Sequence, residues 1–448
     1  MWHSTPVRVR GKHRRSRRSV VSPSWRAGFR SLFPGSVVNL ASQALLVLLG
    51  LFSGIVTARV LGPGKRGELS FLVLIPAILT VIGSLGAENG IYYFWHHNGG
   101  RFRANLLGTC AAVATVCGLF SGAISYAIIS LIKPQTVLLL RLLVAASMPL
   151  AIANAMLTMA LMASGRLGRY NASRLAGPIF YTGTVAILWV AHDLGVFTAF
   201  VGWFGSMVVT ILADVALMIG LTIGKPRWSV LVARRSVSYG LRSCVGNVSQ
   251  YGTLRLDQVM LGAFAGSESL GLYYAVVSIG EALMYLAINT GAAMMAQFGK
   301  RSTAERRHLA LITMTLTVFL TAIAAVLLAM FGEIVIRLLF GRAYLPALPA
   351  LRILLLGMVP LASAQVMSQY FIAIGKAAIF AHAALASLVV TIIGDVLLIP
   401  RFRADGAALA SVLAYLVLAL WMAFKFRAYH STHSKIVAID HIQDGIAA

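Results

Sequence analysis

The sequence predicts an all-α integral membrane protein with about 12 transmembrane helices. Some twelve apolar stretches follow one another between Val37 and Arg427. A bilayer core about 30 Å thick needs roughly 20 helical residues to cross, and each stretch is that long. The composition agrees, because 59% of the residues are hydrophobic and only 11% are charged, against about 25% in soluble domains. The mean hydropathy is +0.83.

The twelve predicted spans follow from hydropathy alone. They cover 37–60, 69–95, 104–132, 136–163, 172–192, 195–222, 237–264, 271–298, 308–331, 347–374, 377–399 and 405–427. The short apolar run from Glu333 to Phe340 is left over between the ninth and tenth spans. A separate interfacial turn is one interpretation of this run.

The asymmetry of Lys and Arg between alternate connections predicts the orientation. With the N-terminus inside, the cytoplasmic segments hold 26 of these residues and the other side holds eight, while four lie within or at the edge of spans. Positively charged loops stay in the cytoplasm. An even number of spans then places both termini in the cytoplasm of an inner or plasma membrane, and the connection Gly62–Glu68 in the periplasm.

The N-terminal tail carries nine of the basic residues between Arg8 and Arg30. A basic arm beside a membrane is typical of a segment held on anionic headgroups, at about 1 kcal/mol per basic residue. We therefore predict anionic lipids, and not nucleic acid, as the partner of this tail despite the net charge of +25. A twin-arginine signal at Ser16–Arg18 and an organelle transit peptide are the alternatives.

Neither an enzyme nor a metal protein is indicated. The three cysteines, Cys110, Cys117 and Cys244, all fall inside spans and lack the spacing of metal ligands. The sequence contains no nucleotide-binding loop, no zinc-protease motif and no nucleophile elbow. We expect no cofactor, no metal and no catalytic residue.

Two matching connections indicate an internal repeat. Gly62 corresponds to Gly266 and Gly67 to Gly271 at an offset of 204, and later Arg141 corresponds to Arg352 at an offset of 211. An offset that drifts slowly is expected when one half has gained insertions. Because each half holds six spans, the halves are parallel repeats, related by a pseudo-two-fold axis along the membrane normal.

This organisation predicts five segments. They are a basic disordered cytoplasmic tail (1–36), an N-terminal six-helix bundle (37–222), a cytoplasmic linker (223–236), a C-terminal six-helix bundle (237–427) and a cytoplasmic C-terminal tail (428–448).

Three stretches of the chain resemble a known transporter family. Residues 57–69 (TARVLGPGKRGEL) are similar to the connection after the first span of polysaccharide-biosynthesis flippases. Residues 256–262 (LDQVMLG) with 271–275 (GLYYA) resemble the seventh-span pattern, and 338–344 (LLFGRAY) with 350–354 (ALRIL) resemble the segment before the tenth span. The family is the O-antigen-flippase-like (Wzx-type) branch of the multidrug/oligosaccharidyl-lipid/polysaccharide (MOP) exporter superfamily. Gly64 and Arg66 depart from its usual pattern.

The resemblance implies a V-shaped pair of bundles around a central cavity. Such a protein would translocate a polyprenyl-diphosphate-linked oligosaccharide from the cytoplasmic to the periplasmic leaflet, for exopolysaccharide, O-antigen, lipopolysaccharide or capsule biosynthesis. Polymerase and glycosyltransferase components would be its partners.

Three charged residues within spans seven and eight are candidates for contact with the substrate. Arg255, Asp257 and Glu281 lie in the outer halves of these spans, where a charge is costly unless it faces a cavity or a partner. Arg is suited to a diphosphate because its planar fork binds phosphate oxygens in pairs. Arg255 and Glu281 could equally neutralise one another, and Asp257 could pair nearby or hold a proton.

Arg59, Arg141 and Arg352, near the outer ends of spans one, four and ten, are the other candidates. Each could instead extend its guanidinium to the membrane interface. Ser42-Gln43 and Ser249-Gln250, in corresponding spans, are placed either to bind sugar hydroxyls or to join helices.

Three other functions compete with a polysaccharide flippase. A flippase for a lipid-linked peptidoglycan precursor has the most similar chemistry. A cation-coupled multidrug exporter of the same superfamily would need an acidic cavity, whereas the spans hold at least as many Arg residues as carboxylates. A polysaccharide polymerase or glycosyltransferase would need a large extramembrane loop or an acidic motif, and no predicted outer loop exceeds about 20 residues.

Overall fold

Helices make up nearly all of the residues that the computed structural model describes, which are 25–95, 100–221, 227–298 and 301–446. Eleven α-helices and one 3-10 helix span this part of the chain. They are α1 (Trp25–Gly83), α2 (Ala87–Trp95), α3 (Gly100–Ile132), α4 (Leu138–Ala163), α5 (Leu167–Val190), α6 (Val196–Met218), α7 (Val230–Phe264), α8 (Gly266–Ala296), α9 (Thr303–Leu339), the 3-10 helix (Arg342–Ala347), α10 (Leu348–Ala373) and α11 (Ala377–Ile446).

Several segment boundaries predicted above can be placed on these helices. Most of the predicted tail 1–36 lies outside the described residues, as do residue 222 of the predicted N-terminal bundle and 223–226 of the predicted linker. α7 begins at Val230, inside the predicted linker, and α11 continues to Ile446, through most of the predicted C-terminal tail.

Two of the helices bend and cross the membrane twice. α1 contains non-helical backbone at Gly62 (φ 69°, ψ 173°), between the predicted spans one and two. α11 contains it at Arg403 (φ 49°, ψ −122°), between spans eleven and twelve. Eight helical segments of the described chain are long and apolar enough to cross a bilayer, and these two bent helices are among them. With the more polar α5 and α7, the helices make the twelve crossings that the hydropathy predicted.

A break divides the predicted second span near its end. α1 stops at Gly83 and α2 starts at Ala87, with Leu85 and Gly86 both at positive φ (51° and 68°) between them. The amide of Ala87 donates to the carbonyl of Ser84 at 2.9 Å, so the turn is hydrogen-bonded. An unbroken span over 69–95 was therefore wrong, since the apolar composition does not reveal a turn within it.

The expected interfacial turn at Glu333–Phe340 was also wrong. These residues continue α9, which runs without interruption to Leu339. The separate turn is the 3-10 helix Arg342–Ala347, which follows Gly341 at φ 96°. Only glycine adopts such a conformation without strain, so the chain breaks there rather than before Glu333.

The helices form two bundles, α1–α6 and α7–α11. The C-terminal bundle has a hydrophobic core around Leu351, Leu354 and Phe371. The N-terminal bundle contains two hydrophobic clusters of buried side chains. The first includes Val144 and Phe200, and the second includes the fully buried side chains of Leu106, Ile152 and Met156. The bundles meet where α1 packs against α8 and where α2 packs against α7.

One contact between the bundles has two-fold symmetry. A β-carbon on Gly67 would collide with the backbone of Ser267 and Gly271, and one on Gly271 would collide with the backbone of Pro63 and Gly67. The offset of 204 relates Pro63 to Ser267 and Gly67 to Gly271, so each half makes the same contact with the other. Such reciprocity is the mark of a two-fold axis, and it locates the predicted axis between these connections.

Candidate functional site

A cavity of about 330 Å³ lies between α1 and α8, at the junction of the two bundles. The α1 wall is mostly apolar and is formed by residues spaced three or four apart, which lie on one helix face: Gln43, Leu46, Val47, Gly50, Leu51, Gly54, Ile55 and Ala58. The facing α8 wall carries a polar stripe, Tyr274, Ser278, Glu281 and Tyr285, at the same helical spacing. Most of the polar side chains that α1 and α8 contribute to the cavity therefore lie on α8.

Two arginines that the sequence analysis had counted as loop residues reach this cavity. Arg174, on α5, donates from Nη2 to Oε1 of Gln43 at 2.9 Å. Arg66, just after the bend of α1, places its guanidinium 4.9 Å from the centre of the Tyr274 ring. Arg174 also lies within the predicted span 172–192, and this position was a signal that it does not belong to a loop.

Arg255 and Glu281 are brought together by the structure. Nη1 of Arg255 lies 2.7 Å from Oε1 of Glu281, and both side chains are 22% exposed. Glu281 belongs to the polar stripe of the cavity. The pair joins α7 to α8, so a charged contact between neighbouring helices lies beside the cavity.

Asp257 lies inside the C-terminal bundle rather than in the cavity lining. Its carboxylate accepts hydrogen bonds from the Tyr273 hydroxyl at 2.7 Å, the Ser411 hydroxyl at 2.8 Å and the Gln258 amide at 2.7 Å. Asp257 is 1% exposed. These three donors hold the carboxylate between α7, α8 and α11.

A second carboxylate lies near Asp257. Asp395 is fully buried, interacts electrostatically with Asp257, and has no hydrogen-bond partner on either oxygen among the described residues. Two carboxylates buried together in a low dielectric repel one another unless a proton or a cation lies between them. A proton or a cation between these two carboxylates would relieve the repulsion, and no group of three His, Cys, Asp or Glu side chains that could hold a metal ion occurs in the described part of the chain.

Arg59, Arg141 and Arg352 donate to backbone carbonyls, and none of them is in the lining of the central cavity. Arg59 donates to the carbonyls of Leu338 and Leu339 at the end of α9. A cation at a helix C-terminus is favourable because the last carbonyls are unpaired.

The two repeat-related arginines behave alike. Arg141 donates to the carbonyls of Thr136, at 2.8 Å, and Pro134, just after α3. Arg352 donates to the carbonyl of Ala329 on α9 at 3.3 Å. Arg352 therefore ties the start of α10 to α9, whereas Arg141 ties the start of α4 to the connection that precedes it.

Close contacts join the bundles on both sides of the cavity. We call the membrane side that carries Ala163, Leu167 and Met218 the basic face, and the side that carries Gly62 and Ile132 the opposite face. On the opposite face the glycine contact described above is joined by a hydrogen bond from Lys133 Nζ to Ser267 Oγ at 2.9 Å.

On the basic face, β-carbons on Gly86 or Gly240 would each collide with the backbone of the other glycine. Gly90 lies equally close to the backbone of Ser236. The broken second span therefore has a consequence for the site, because the turn at Gly86 is what brings α2 against α7.

Solved transporters share this architecture. An inward-facing multidrug resistance MATE family transporter of the MOP superfamily superposes with a TM-score of 0.70 at 16% identity, over 86% of this chain and 96% of the other. The lipid II flippase MurJ in an inward closed conformation superposes with a TM-score of 0.73 at 14% identity, over 87% of both chains.

A third structure, a MOP superfamily transporter from Pyrococcus furiosus described as having a binding pocket of reverse polarity, superposes with a TM-score of 0.58 at 17% identity, over 86% of this chain and 93% of the other. No family model matches the sequence, and no curated protein matches it. The shared architecture covers 86% or 87% of this chain in each of the three superpositions. The chain therefore has the fold of the MOP superfamily transporters.

Proposed function

We propose that this protein is a flippase that moves a polyprenyl-diphosphate-linked oligosaccharide from the cytoplasmic to the periplasmic leaflet by alternating access, for polysaccharide biosynthesis. The basic face is then cytoplasmic, and both termini lie in the cytoplasm. The observation that carries the proposal is the positive charge of the cavity between the bundles.

Three guanidinium groups surround this cavity and one carboxylate lines it. Arg66 and Arg174 are part of the lining, and Arg255 is held at its edge by Glu281. Guanidinium groups bind phosphate oxygens through paired N–H donors and stay charged at any physiological pH. An anionic headgroup would therefore be stabilised in this cavity.

The remaining polar lining is suited to a sugar. Tyr274 and Tyr285 offer aromatic faces, and Gln43 and Ser278 offer groups that hydrogen-bond with hydroxyls. A volume of about 330 Å³ is at the lower end of ordinary ligand sites. It admits a diphosphate and part of a sugar, so a longer glycan requires the bundles to separate at one face.

The cavity argues against a cationic substrate. A multidrug exporter of cations would have to overcome the repulsion of Arg66 and Arg174, which no carboxylate among the described residues pairs with. A lipid-linked peptidoglycan precursor remains the second candidate, because it carries the same diphosphate and the fold is shared with a lipid II flippase.

Reconstitution tests the proposal directly. The purified protein is placed in liposomes that contain a fluorescent polyprenyl-diphosphate oligosaccharide, and the fraction that an impermeant reagent can reach is followed with time. Parallel liposomes contain lipid II or a cationic dye. We expect the fastest movement for the oligosaccharide lipid, with loss of at least about tenfold in Arg174→Ala.

Arg337→Ala is the matched control, because Arg337 is exposed near the end of α9 and is not part of the cavity lining. It should move the lipid at the normal rate. Movement of the dye alone would overturn the proposal, and faster movement of lipid II would replace it with the second candidate.

Two partners follow from the same proposal. Anionic lipids would hold the basic N-terminal tail, and polymerase or glycosyltransferase components would supply and consume the lipid-linked glycan. Binding of the protein's tail to liposomes with and without anionic lipid tests the lipid partner. Co-purification from native membranes tests the polymerase or glycosyltransferase components.

A further inference from the structure

A shallow cavity of about 400 Å³ lies on the basic face, where α2 meets the start of α7. We call it the interfacial cavity. The N-terminal bundle contributes one side chain to its lining and the C-terminal bundle the others: Phe94 from α2, and Leu231, Arg234, Arg235, Ser238 and Tyr239 from α7. The Tyr239 ring also stacks on Tyr93 of α2, with ring centres 4.5 Å apart. The interfacial cavity therefore belongs to both bundles.

Two adjacent positive charges face this cavity. The side chains of Arg234 and Arg235 are exposed, and neither forms an ion pair with a carboxylate among the described residues. Glu88 of α2 instead interacts electrostatically with Cys244, further along α7. Guanidinium groups donate to phosphate oxygens through paired N–H groups. A phosphate in the interfacial cavity would therefore be stabilised by both arginines.

The face of α7 that carries Arg234 continues as an apolar surface. Leu231, Ser238, Leu241 and Val245 share this face, because they follow one another at intervals that place them on one side of a helix. Leu241 and Val245 are 47% and 53% exposed. A ligand with a negative headgroup and an apolar chain fits this arrangement, since its chain can lie along the two aliphatic side chains.

Exposed aromatic side chains place the interfacial cavity at the level of the lipid headgroups. Trp228, Tyr92 and Tyr93 are 51%, 42% and 40% exposed, and all three are close in the chain to residues of the lining. Trp and Tyr are enriched where a membrane protein passes the boundary between lipid and water. A phospholipid in the membrane therefore reaches the cavity without leaving the bilayer.

We propose that the interfacial cavity binds the phosphate of an anionic membrane phospholipid, and that the bound lipid stabilises the conformation in which the bundles are closed at the basic face. Basic pockets between helices at a membrane surface are suited to such headgroups. The inference does not depend on which lipid the protein transports.

The effect on conformation follows from the position of the cavity. Gly86 of α2 and Gly240 of α7 approach through backbone on this face, so Phe94 and the α7 side chains line one cavity only while the two helices are together. A ligand shifts a conformational equilibrium towards the state that binds it better. The lipid would therefore favour closure of the basic face.

Like charges oppose this closure. Arg103 belongs to the N-terminal bundle and donates from Nε to the carbonyl of Trp95, the last residue of α2, at 3.2 Å. Arg234 and Arg235 belong to the C-terminal bundle and lie where α7 meets α2. Positive charges on the two sides of this junction repel one another, and a negative headgroup between them lowers the repulsion.

Native mass spectrometry tests the binding. The purified protein in detergent is titrated with phosphatidylglycerol or with phosphatidylcholine, and the lipid adducts are counted. We expect the double variant Arg234→Gln, Arg235→Gln to bind the first phosphatidylglycerol at least about fivefold more weakly. The control is Arg166→Gln with Arg307→Gln, which removes two exposed charges from the same face outside the cavity and should bind it normally.

The distance between two spin labels tests the conformational effect. With the native cysteines replaced, labels are attached at Gly168→Cys and Ala304→Cys, which are exposed on the basic face, one in each bundle. Nanodiscs that contain phosphatidylglycerol should raise the ratio of the shorter to the longer distance at least about fivefold over nanodiscs of phosphatidylcholine alone. This lipid effect should disappear in the double arginine variant and persist in the control.

Each part of the inference has an outcome that overturns it. Normal binding of phosphatidylglycerol in the double arginine variant overturns the site. Lost binding with an unchanged response of the distance to phosphatidylglycerol overturns the effect on conformation. Closure of the wild type by inorganic phosphate, in nanodiscs of phosphatidylcholine alone, overturns the lipid as the occupant, because a soluble anion would then suffice.

Discussion

A β-carbon added to Gly67 would lie less than 3.0 Å from the carbonyl oxygen of Ser267, which is too close for any real side chain. Both residues are in connections on the opposite face, and both halves of the protein approach there through backbone alone. A side chain at position 67 can be accommodated only if the bundles move apart at this face.

Gly67→Ala should therefore favour the conformation that is open at the opposite face. We expect a cysteine introduced at Ser278, with the three native cysteines replaced, to react at least about fivefold faster with an impermeant maleimide added from that face. Gly64→Ala is the control, because nothing lies within 4 Å of the corresponding β-carbon. An unchanged labelling rate would mean that the contact does not control access.

Gly240→Ala should have the opposite effect. Its β-carbon would collide with the backbone of Gly86 on the basic face, so labelling of the same cysteine should become faster from the basic face and slower from the other. Gly168→Ala, near the start of α5, is the control with open space around it. If both glycine variants accelerated labelling from the same face, the two contacts would not alternate.

Tyr273→Phe should destabilise the C-terminal bundle. The change removes the donor 2.7 Å from a carboxylate oxygen of Asp257, which is 1% exposed. The loss of one partner of a buried charged group costs about 1–3 kcal/mol of unfolding free energy. Thermal melting in detergent should show this loss as a lower midpoint temperature. Tyr126→Phe is the control, because Tyr126 is half-buried on α3. This variant should melt within about 1 °C of the wild type, as expected for a near-neutral change.

The membrane potential should assist export. An outward-moving anion gains about 2.3 kcal/mol per charge per 100 mV when the inside is negative, and the arginines of the cavity remain with the protein. Collapse of the potential in liposomes should slow the diphosphate lipid by at least about threefold. An equal rate with and without the potential would indicate that cations move with the lipid.

Reporter fusions test the orientation. The distribution of 26 basic residues against eight predicts that both termini lie in the cytoplasm. Reporters at Arg30 and after Lys435 should both give a cytoplasmic signal, and one in the Gly62–Glu68 connection a periplasmic one. A periplasmic signal from one terminus alone would contradict an even number of crossings, and periplasmic signals from both would reverse the predicted orientation.

Much of the fold could be predicted because it depends on long apolar segments and on repeated glycines. The offset of 204 that indicated two halves also relates Gly67 to Gly271, and these two residues are in contact. The break at Leu85 and Gly86 could not be predicted, since a glycine within an apolar span is common and its φ depends on the helix opposite. The position of this break is explained by the close contact between Gly86 and Gly240 of α7.

Less of the candidate site could be predicted. The possible pairing of Arg255 with Glu281 was recognised because both lie inside spans at similar depth. Arg66 and Arg174 were missed, since a basic residue near a helix end contributes to topology whichever way its side chain points. Their direction depends on α1, α5 and α8 meeting around one cavity, which no local pattern describes.

The reciprocal contact of Gly67 and Gly271 also limits what the two halves must share. The contact requires glycine at both positions, and it places no such requirement on the residues beside them. Arg66 lines the cavity, whereas the residue at the equivalent position, Leu270, is fully buried in an apolar core. A single chain can thus keep the glycines that let its halves approach and still present a different chemistry from each half.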